Sequence, residues 1–385
     1  MEEIPLSQPD VTEADIEMVV RALRSRRLSI GPMQEQFESM VADATGRRHA
    51  VACSSGTAAL HMVMLALGIR EGDEVITTPF SFIASSNCIL YVGARPVFVD
   101  VDPVSLNMDP EQVERAITPR TRAILAVETF GNPRYMDVYR SIAQRHELKL
   151  IEDACEGLGG RLGSRPVGGF GHVAVFGFYP NKQITTGEGG MVVTDDDRIA
   201  SVCRSLRNQG RAAGTTGGAI GSWFAFERLG YNYRLPEINA ALGLSQMRRL
   251  AEIIERRQHV ARRYIERFMT HADIAVPTVD PDVYMSWFVF VLRLSNRFTG
   301  EERDRIISGM HRHDVGAAAY FPCIHLQPFY RERLGYGPGS FPIAESVSQR
   351  TIAMPFHTRL SEREVEYASA TLELMMGREG LKKRA

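Results

Sequence analysis

Short apolar runs alternate with longer amphipathic stretches through the first half of the chain. In TEADIEMVVRALRS (12–25) a threonine and acidic residues precede Ile16, Val19, Val20 and Leu23 at helical spacing, which predicts a capped amphipathic helix. A turn at Ile30-Gly31-Pro32 leads to a second helix ending near Gly46. Then follow AVAC (50–53), EVITT (74–78), PVFVD (96–100), AILAV (123–127) and LKLIED (148–153), each of strand length and mostly separated by helical patterns. VAVFGF and GMVVT, on either side of Lys182, read as two further strands. The alternation predicts an α/β fold with a mostly parallel sheet between helices, right-handed crossovers, and ligand groups at the carboxyl ends of the strands.

From Pro236 to about Thr270 the pattern becomes one long helical stretch, Arg-rich after Met247. It leads to a strand-like WFVFVLRL (287–294), a helix from about Glu301 and another from about Ser361. The expected division is a large domain over residues 1–245 and a smaller α+β domain over 246–385. No internal repeat or low-complexity linker interrupts the chain. The Gly-rich AGTTGGAIGS (213–222) is expected to be mobile or closely packed against a partner.

Composition narrows the function. With 44% hydrophobic and 24% charged residues the 385-residue chain is that of a folded protein with more than one core. A formal charge of −1 supplies neither a basic face for nucleic acid nor a cationic patch for lipid, so no partner of either kind is expected. MEEIPLSQPD lacks the basic-then-apolar order of a signal peptide, and no apolar run approaches the ~20 residues of a membrane span, which predicts a cytoplasmic protein. The five cysteines are widely spaced without a CxxC pair and are read as reduced thiols. His311 and His313 lack metal-site spacing, and no metal is expected.

Of the 45 Lys and Arg residues only four are lysine: Lys149, Lys182, Lys382 and Lys383. Arginine does the cationic surface work here. A lysine kept inside the apolar, Gly-rich VAVFGFYPNKQITTGEGGMVVT therefore points to amine chemistry, since an amine can lose its proton and form a Schiff base whereas a guanidinium cannot. The bland alternative is a stray loop lysine. Ser55-Gly56-Thr57 follows the first sheet strand and opens a helix, an arrangement that offers free amides and hydroxyls to a phosphate, or else an ordinary N-cap. Neither GxxxxGK[ST] nor GxGxxG occurs, which disfavours the usual nucleotide-binding modes. Asp153 closes LKLIED and can either cap a helix or face a ligand; facing a pyridine nitrogen, it would keep that nitrogen protonated and the ring an electron sink.

Six motifs in order, SSGTAAL (54–60), GDEVITTPFSFIAS (72–85), GARPVFVDVDP (93–103), IEDACEGLGG (151–160), FYPNKQITTGEGG (178–190) and GYNYRLPEINAALG (230–243), resemble the DegT/DnrJ/EryC1/StrS sugar aminotransferases. The resemblance runs from about Ile4 to the final helix. It implies a fold-type-I enzyme dependent on pyridoxal phosphate, with pyridoxamine phosphate as the second form. It implies Lys182 as Schiff-base lysine and proton shuttle, and Asp153 as partner of the pyridine nitrogen. Ser55, Gly56 and Thr57 are implied around the phosphate, Phe82 against the cofactor face, and Glu156 near the ring hydroxyl. Asn232 would reach the cofactor phosphate of the neighbouring subunit of a homodimer. His325, in FPCIHLQPFY, is either a substrate contact or structural, and Arg234 either meets a nucleotide-sugar diphosphate or pairs with a carboxylate.

The chain departs from the family pattern at Glu156, where Gln or His is frequent, at Asn132, where Gln is common, and at Gly177, where a phosphate-binding Ser is frequent. The implied reaction moves an amino group from an amino acid, glutamate by analogy, to a nucleotide-linked keto-deoxysugar. Family members that remove a sugar hydroxyl carry His in place of the lysine, and Lys182 argues against that. A keto-inositol acceptor stays open, as does a non-catalytic cofactor-binding regulator, although no basic DNA-binding segment appears.

Overall fold

The computed structural model describes residues 3–212 and 225–382, so the Gly-rich stretch 213–222 lies outside the described residues. The first half runs α1 (Glu13–Arg24), α2 (Pro32–Thr45), β1 (His49–Cys53), α3 (Gly56–Ala66), β2 (Glu74–Thr77), α4 (Ala84–Tyr91), β3 (Arg95–Phe98), α5 (Pro110–Arg115), β4 (Thr121–Val127), α6 (Met136–Arg145) and β5 (Lys149–Asp153). A small excursion, β6 (Arg161–Leu162) and β7 (Arg165–Pro166), precedes β8 (Val173–Gly177), β9 (Gly190–Thr194), α7 (Asp197–Leu206) and α8 (Glu237–Arg248). The Thr12–Asp15 capping box starts α1 as its sequence predicts.

Among the described residues seven strands form one sheet in the order β1-β9-β8-β5-β4-β2-β3. The pairs β2/β3, β2/β4, β4/β5 and β5/β8 are parallel, whereas β9 runs antiparallel to both β8 and β1. The apolar runs are continuous because both faces are covered. Val51, Cys53, Val175 and Val192 pack with α3, α4 and α7, while Ala50, Ala52, Phe176 and Met191 face α2 and α8. Helix α6 covers the remainder of that second face through Met136, Tyr139 and Ile142.

The single helical stretch expected over 236–270 is two helices, α8 and α9 (Leu250–Phe268). They part at Arg249, whose φ of −109° and ψ of 9° leave the helical region. Beyond them lie β10 (Ile274–Ala275), β11 (Val283–Tyr284), β12 (Phe290–Leu294), α10 (Gly300–His311), α11 (Pro328–Leu334), α12 (Pro342–Ser348), β13 (Thr351–Met354) and α13 (Glu362–Lys382). Strands β10, β12 and β13 make an antiparallel sheet whose core includes Tyr264, Phe290, Ile306 and Leu372, and also Ile4, which bridges to Val315. Residue 245, the expected boundary, falls inside α8, and Ile4 packs with the C-terminal core. Among the described residues no helix is long and apolar enough to cross a membrane, and no His/Cys/Asp/Glu cluster could hold a metal.

Glu237 ties two of these elements together. Fully buried at the first turn of α8, its carboxylate accepts the amides of Gly31, Met33 and Gln34 at 3.1, 2.9 and 3.0 Å, capping α2 from across the chain. Glu237→Ala leaves those amides without an acceptor and should cost roughly 2–4 kcal/mol in denaturant unfolding. A loss below about 0.5 kcal/mol would show that the cap is dispensable.

Candidate active site

The loops after β1, β2, β5 and β8 converge at one end of the large sheet around a cavity of about 640 Å³. Asp153 is the last residue of β5, in register with Val127 of β4 and Val175 of β8, so its side chain emerges at the carboxyl edge. Its Oδ2 accepts the Ser85 hydroxyl at 2.7 Å, and Ser81 Oγ lies 3.0 Å from Ser85 Oγ. This hydroxyl relay fixes the direction of the carboxylate, which is 5% exposed.

Lys182 lies in the loop joining antiparallel β8 and β9, and the loop's own polar residues hold it. The Lys182 amide donates to Tyr179 O at 3.0 Å, Thr185 Oγ1 to Phe178 O at 3.0 Å, and Thr186 Oγ1 to Glu188 O at 2.8 Å. Gly187 takes φ +78°, which explains a glycine in TTGEGG. The amine projects into the cavity, 3.8 Å from Glu156 Oε1 and 3.8 Å from the Phe288 ring centroid, and its side chain is 14% exposed. It is the one cation lining the cavity among the described residues, against Asp153, Glu156 and Glu188.

Burial pushes the Glu156 carboxyl up from 4.5 to about 7, opposed by the Lys182 ammonium and by the Phe130 amide, which donates to Oε2 at 2.7 Å. Beneath it Glu128 is wholly buried, and neither carboxyl oxygen has a hydrogen-bond partner. Burial first, then the neighbouring Glu152, Asp153 and Glu156, raises Glu128 well above the ordinary carboxyl range. The rule that singles out Asp153, an acid at the carboxyl end of a buried strand, also fits Glu128 after AILAV.

The sequence-predicted residues divide into two groups. Ser55, Gly56, Thr57, Phe82, Asp153, Glu156 and Lys182 all line this cavity. Ser55 Oγ accepts the Ala58 amide at 3.1 Å and caps α3, while the first-turn amides of Gly56 and Thr57 have no partner within the helix. A Cβ on Gly56 would come within 3.1 Å of Cys155 Sγ, and one on Gly190 within 2.3 Å of Ser55 O, so the floor is bare backbone. Phe82, 61% exposed, stands at the rim.

The others lie elsewhere. His325 is fully buried with Nε2 3.0 Å from Glu345 Oε1 and its ring against Phe341 and Tyr336, so the short helical turn at 324–326 directs it into an aromatic cluster shared with Phe98 rather than to the cavity. That segment instead contributes Ala319 to Pro322 to the cavity wall. Arg234 Nη1 donates to Asn208 Oδ1 and Gln209 Oε1 at 2.9 and 2.7 Å; its partners are amides, not the carboxylate or diphosphate expected. Asn232, bridged to Asn208, does not line the cavity of its own chain, and Asn132 turns its Oδ1 to the Arg134 amide.

The profile of the DegT/DnrJ/EryC1/StrS aminotransferase family matches residues 9–373. The chain belongs to this family. It is 36% identical over 367 residues to the spore coat polysaccharide biosynthesis protein SpsC of Bacillus subtilis, covering 94% of each. The fold is similar to Spr1654 of Streptococcus pneumoniae, assigned as a sugar aminotransferase and solved in PLP and PMP forms (TM-score 0.92, 27% identity, 97% of this chain and 99% of that one for the PMP form). It is also similar to DesV of S. venezuelae, captured with a ketimine intermediate (TM-score 0.85, 33% identity, 94% of each). The family is pyridoxal-phosphate dependent, and the chain is an aminotransferase of that kind. An amine, a strand-end carboxylate and a bare-backbone helix start in one cavity fit that cofactor.

The displaced Glu156 carboxyl makes a pH prediction for the cofactor-free protein. Its folded value lies above the unfolded one, so the fold favours the protonated acid: that contribution is complete below pH 4.5 and lost as pH rises through about 7. Glu156→Gln should therefore be more stable than the native apoprotein at pH 8, by at most about 3 kcal/mol, with the gap closing toward pH 4.5. Denaturant unfolding across this range checks it, and a gap that widens on acidification contradicts the argument.

Proposed function

We propose that this protein is a cytoplasmic homodimer that transfers an amino group from L-glutamate to a nucleotide-linked keto-deoxysugar, in the making of an amino sugar for a polysaccharide. The observation that carries this is the joint presence of the Lys182 amine and the Asp153 carboxylate in one cavity at the strand ends. SpsC, by its name a polysaccharide biosynthesis protein, supports the pathway class. The dimer accounts for two features of the single chain: Asn232 and Arg234 lie off their own cavity, and α1 turns Ile16 and Leu23 to solvent at 47% and 52% exposure, near exposed Leu28 and Ile30. An uncovered apolar face of that kind fits a subunit contact. Asn232 then serves the cavity of the other subunit.

When bound, pyridoxal phosphate supplies an electron-withdrawing ring that stabilises negative charge at the carbon losing its proton. The chain's own residues do the rest. Lys182 would hold the cofactor between turnovers, and once displaced its amine, as the free base, would take the proton from the donor's α-carbon in the first half of the exchange and give a proton to the carbon that receives the amino group in the second. Asp153, braced by Ser85, keeps a proton on the ring nitrogen. The free amides at Gly56 and Thr57 would hold the phosphate, and Phe82 at the rim would pack against the ring. Glu156 faces the Lys182 amine and can hold a proton near neutrality, a capacity that Gln at the same place lacks.

Two outcomes test the proposal. Mixed with glutamate alone, the reconstituted protein should lose the cofactor's near-visible absorption and gain that of the amine form; absorption that ignores glutamate contradicts the donor. Lys182→Ala should lower turnover by at least about a thousandfold. The variant should still fold, because the β8–β9 loop is closed by its own threonine hydroxyls and backbone rather than by the amine. A variant that retained transamination would remove Lys182 from the mechanism.

A further inference from the structure

Arg257, in the middle of α9, is 3% exposed, and no carboxylate of the described residues lies within 4.0 Å of it. Asp10 acts on it only from beyond ion-pair distance, and the Phe356 ring centroid lies 5.6 Å from its guanidinium carbon; a buried charge without a paired carboxylate is costly, and an unbranched apolar residue would fill the same space without that cost. The charge is used on backbone instead. Nη2 donates to the carbonyl of Lys182 at 2.8 Å, and Nη1 donates to the carbonyls of Trp287 and Phe288, both at 3.1 Å. Phe288 is the residue whose ring lies 3.8 Å from the Lys182 amine. One planar fork thus grips the chain at the amine's own residue and at the ring against it. Gln183 reinforces the same seam, donating to the Glu156 carbonyl at 2.6 Å and to Ser286 Oγ at 2.8 Å.

These carbonyls lie outside regular structure, Lys182 in the β8–β9 loop and residues 287–288 just before β12, so no ladder fixes them. The lysine side chain has four rotatable bonds, and the position of its amine depends on where its backbone is anchored. A misplacement of about 1 Å in a proton-transfer group can cost on the order of a hundredfold in rate. We infer that Arg257 is a positioning residue for Lys182: its guanidinium sets the place of the amine relative to Phe288 and Glu156, and with it the direction in which the proton is moved. The inference rests on the reading of Lys182 as the cofactor's lysine.

The test uses the reconstituted holoprotein with Arg257→Lys, which keeps the charge but loses the fork, and Arg257→Met, which keeps the length but loses both. Single-turnover reaction with glutamate and with α-deuterated glutamate is measured, together with the pH titration of the cofactor's near-visible band without substrate. Expected are a rate at least tenfold lower at saturating glutamate, less than twofold change in the half-saturating concentration, a larger isotope effect, and a displaced band titration, with Lys less affected than Met. Variants whose rate, isotope effect and titration match the native protein overturn the inference. So does a rate loss that merely tracks the folded fraction, or failure of both variants to fold, since either makes Arg257 a packing residue alone. If the native protein itself shows no near-visible band with pyridoxal phosphate, the reading of Lys182 fails first; if the native protein reacts and the variants do likewise, only the inference fails.

Discussion

The approach of the Lys182 amine to the Glu156 carboxylate, 3.8 Å apart and largely out of water, is the constraint to which the surrounding structure answers. Both groups sit on loops, and loops do not hold an amine in place unaided. The β8–β9 turn is closed by its own threonine hydroxyls, Arg257 and Gln183 fasten it to the segment before β12, and the Phe130 amide fixes the far oxygen of Glu156. The C-terminal part of the chain therefore completes the site physically, because Phe288 and the Ala319–Pro322 wall come from it.

The electrostatics follow from the same geometry. Glu128, Glu152, Asp153 and Glu156 crowd the carboxyl edge of β4 and β5, and each is handled differently. Glu152 is held by Arg47 and the amides of Gly168 and Phe170, Asp153 is aimed by Ser85, Glu156 faces Lys182, and Glu128 has no hydrogen-bond partner and is pushed well above the ordinary carboxyl range. Burial and mutual repulsion disfavour the charged form at Glu128, Glu152 and Glu156, and the partners available to each differ.

Much of this was legible in the sequence where a residue's own neighbourhood carries the signal. Lys182 stands out because lysine is otherwise nearly absent, Asp153 because it closes an apolar run, and Ser55-Gly56-Thr57 because a strand gives way there to a helix. Strand direction was not legible: GMVVT is apolar throughout because it is buried on both faces, and that is equally true of a parallel or an antiparallel strand, so the reversal of β9 leaves no mark. Long-range partners were hidden for the same reason. Arg257 grips a carbonyl 75 positions away, and one arginine among many in an amphipathic helix gives no sign of it. His325 looked available because its segment borders the cavity, yet a single short turn decides which way its ring faces.

The most direct measurement is where the cofactor attaches. Reducing the pyridoxal-phosphate-loaded protein with borohydride and mapping the modified peptide should place the label on Lys182 alone of the four lysines. Label on Lys149 or on the C-terminal lysines, or no label on a folded protein, would contradict the account at its centre.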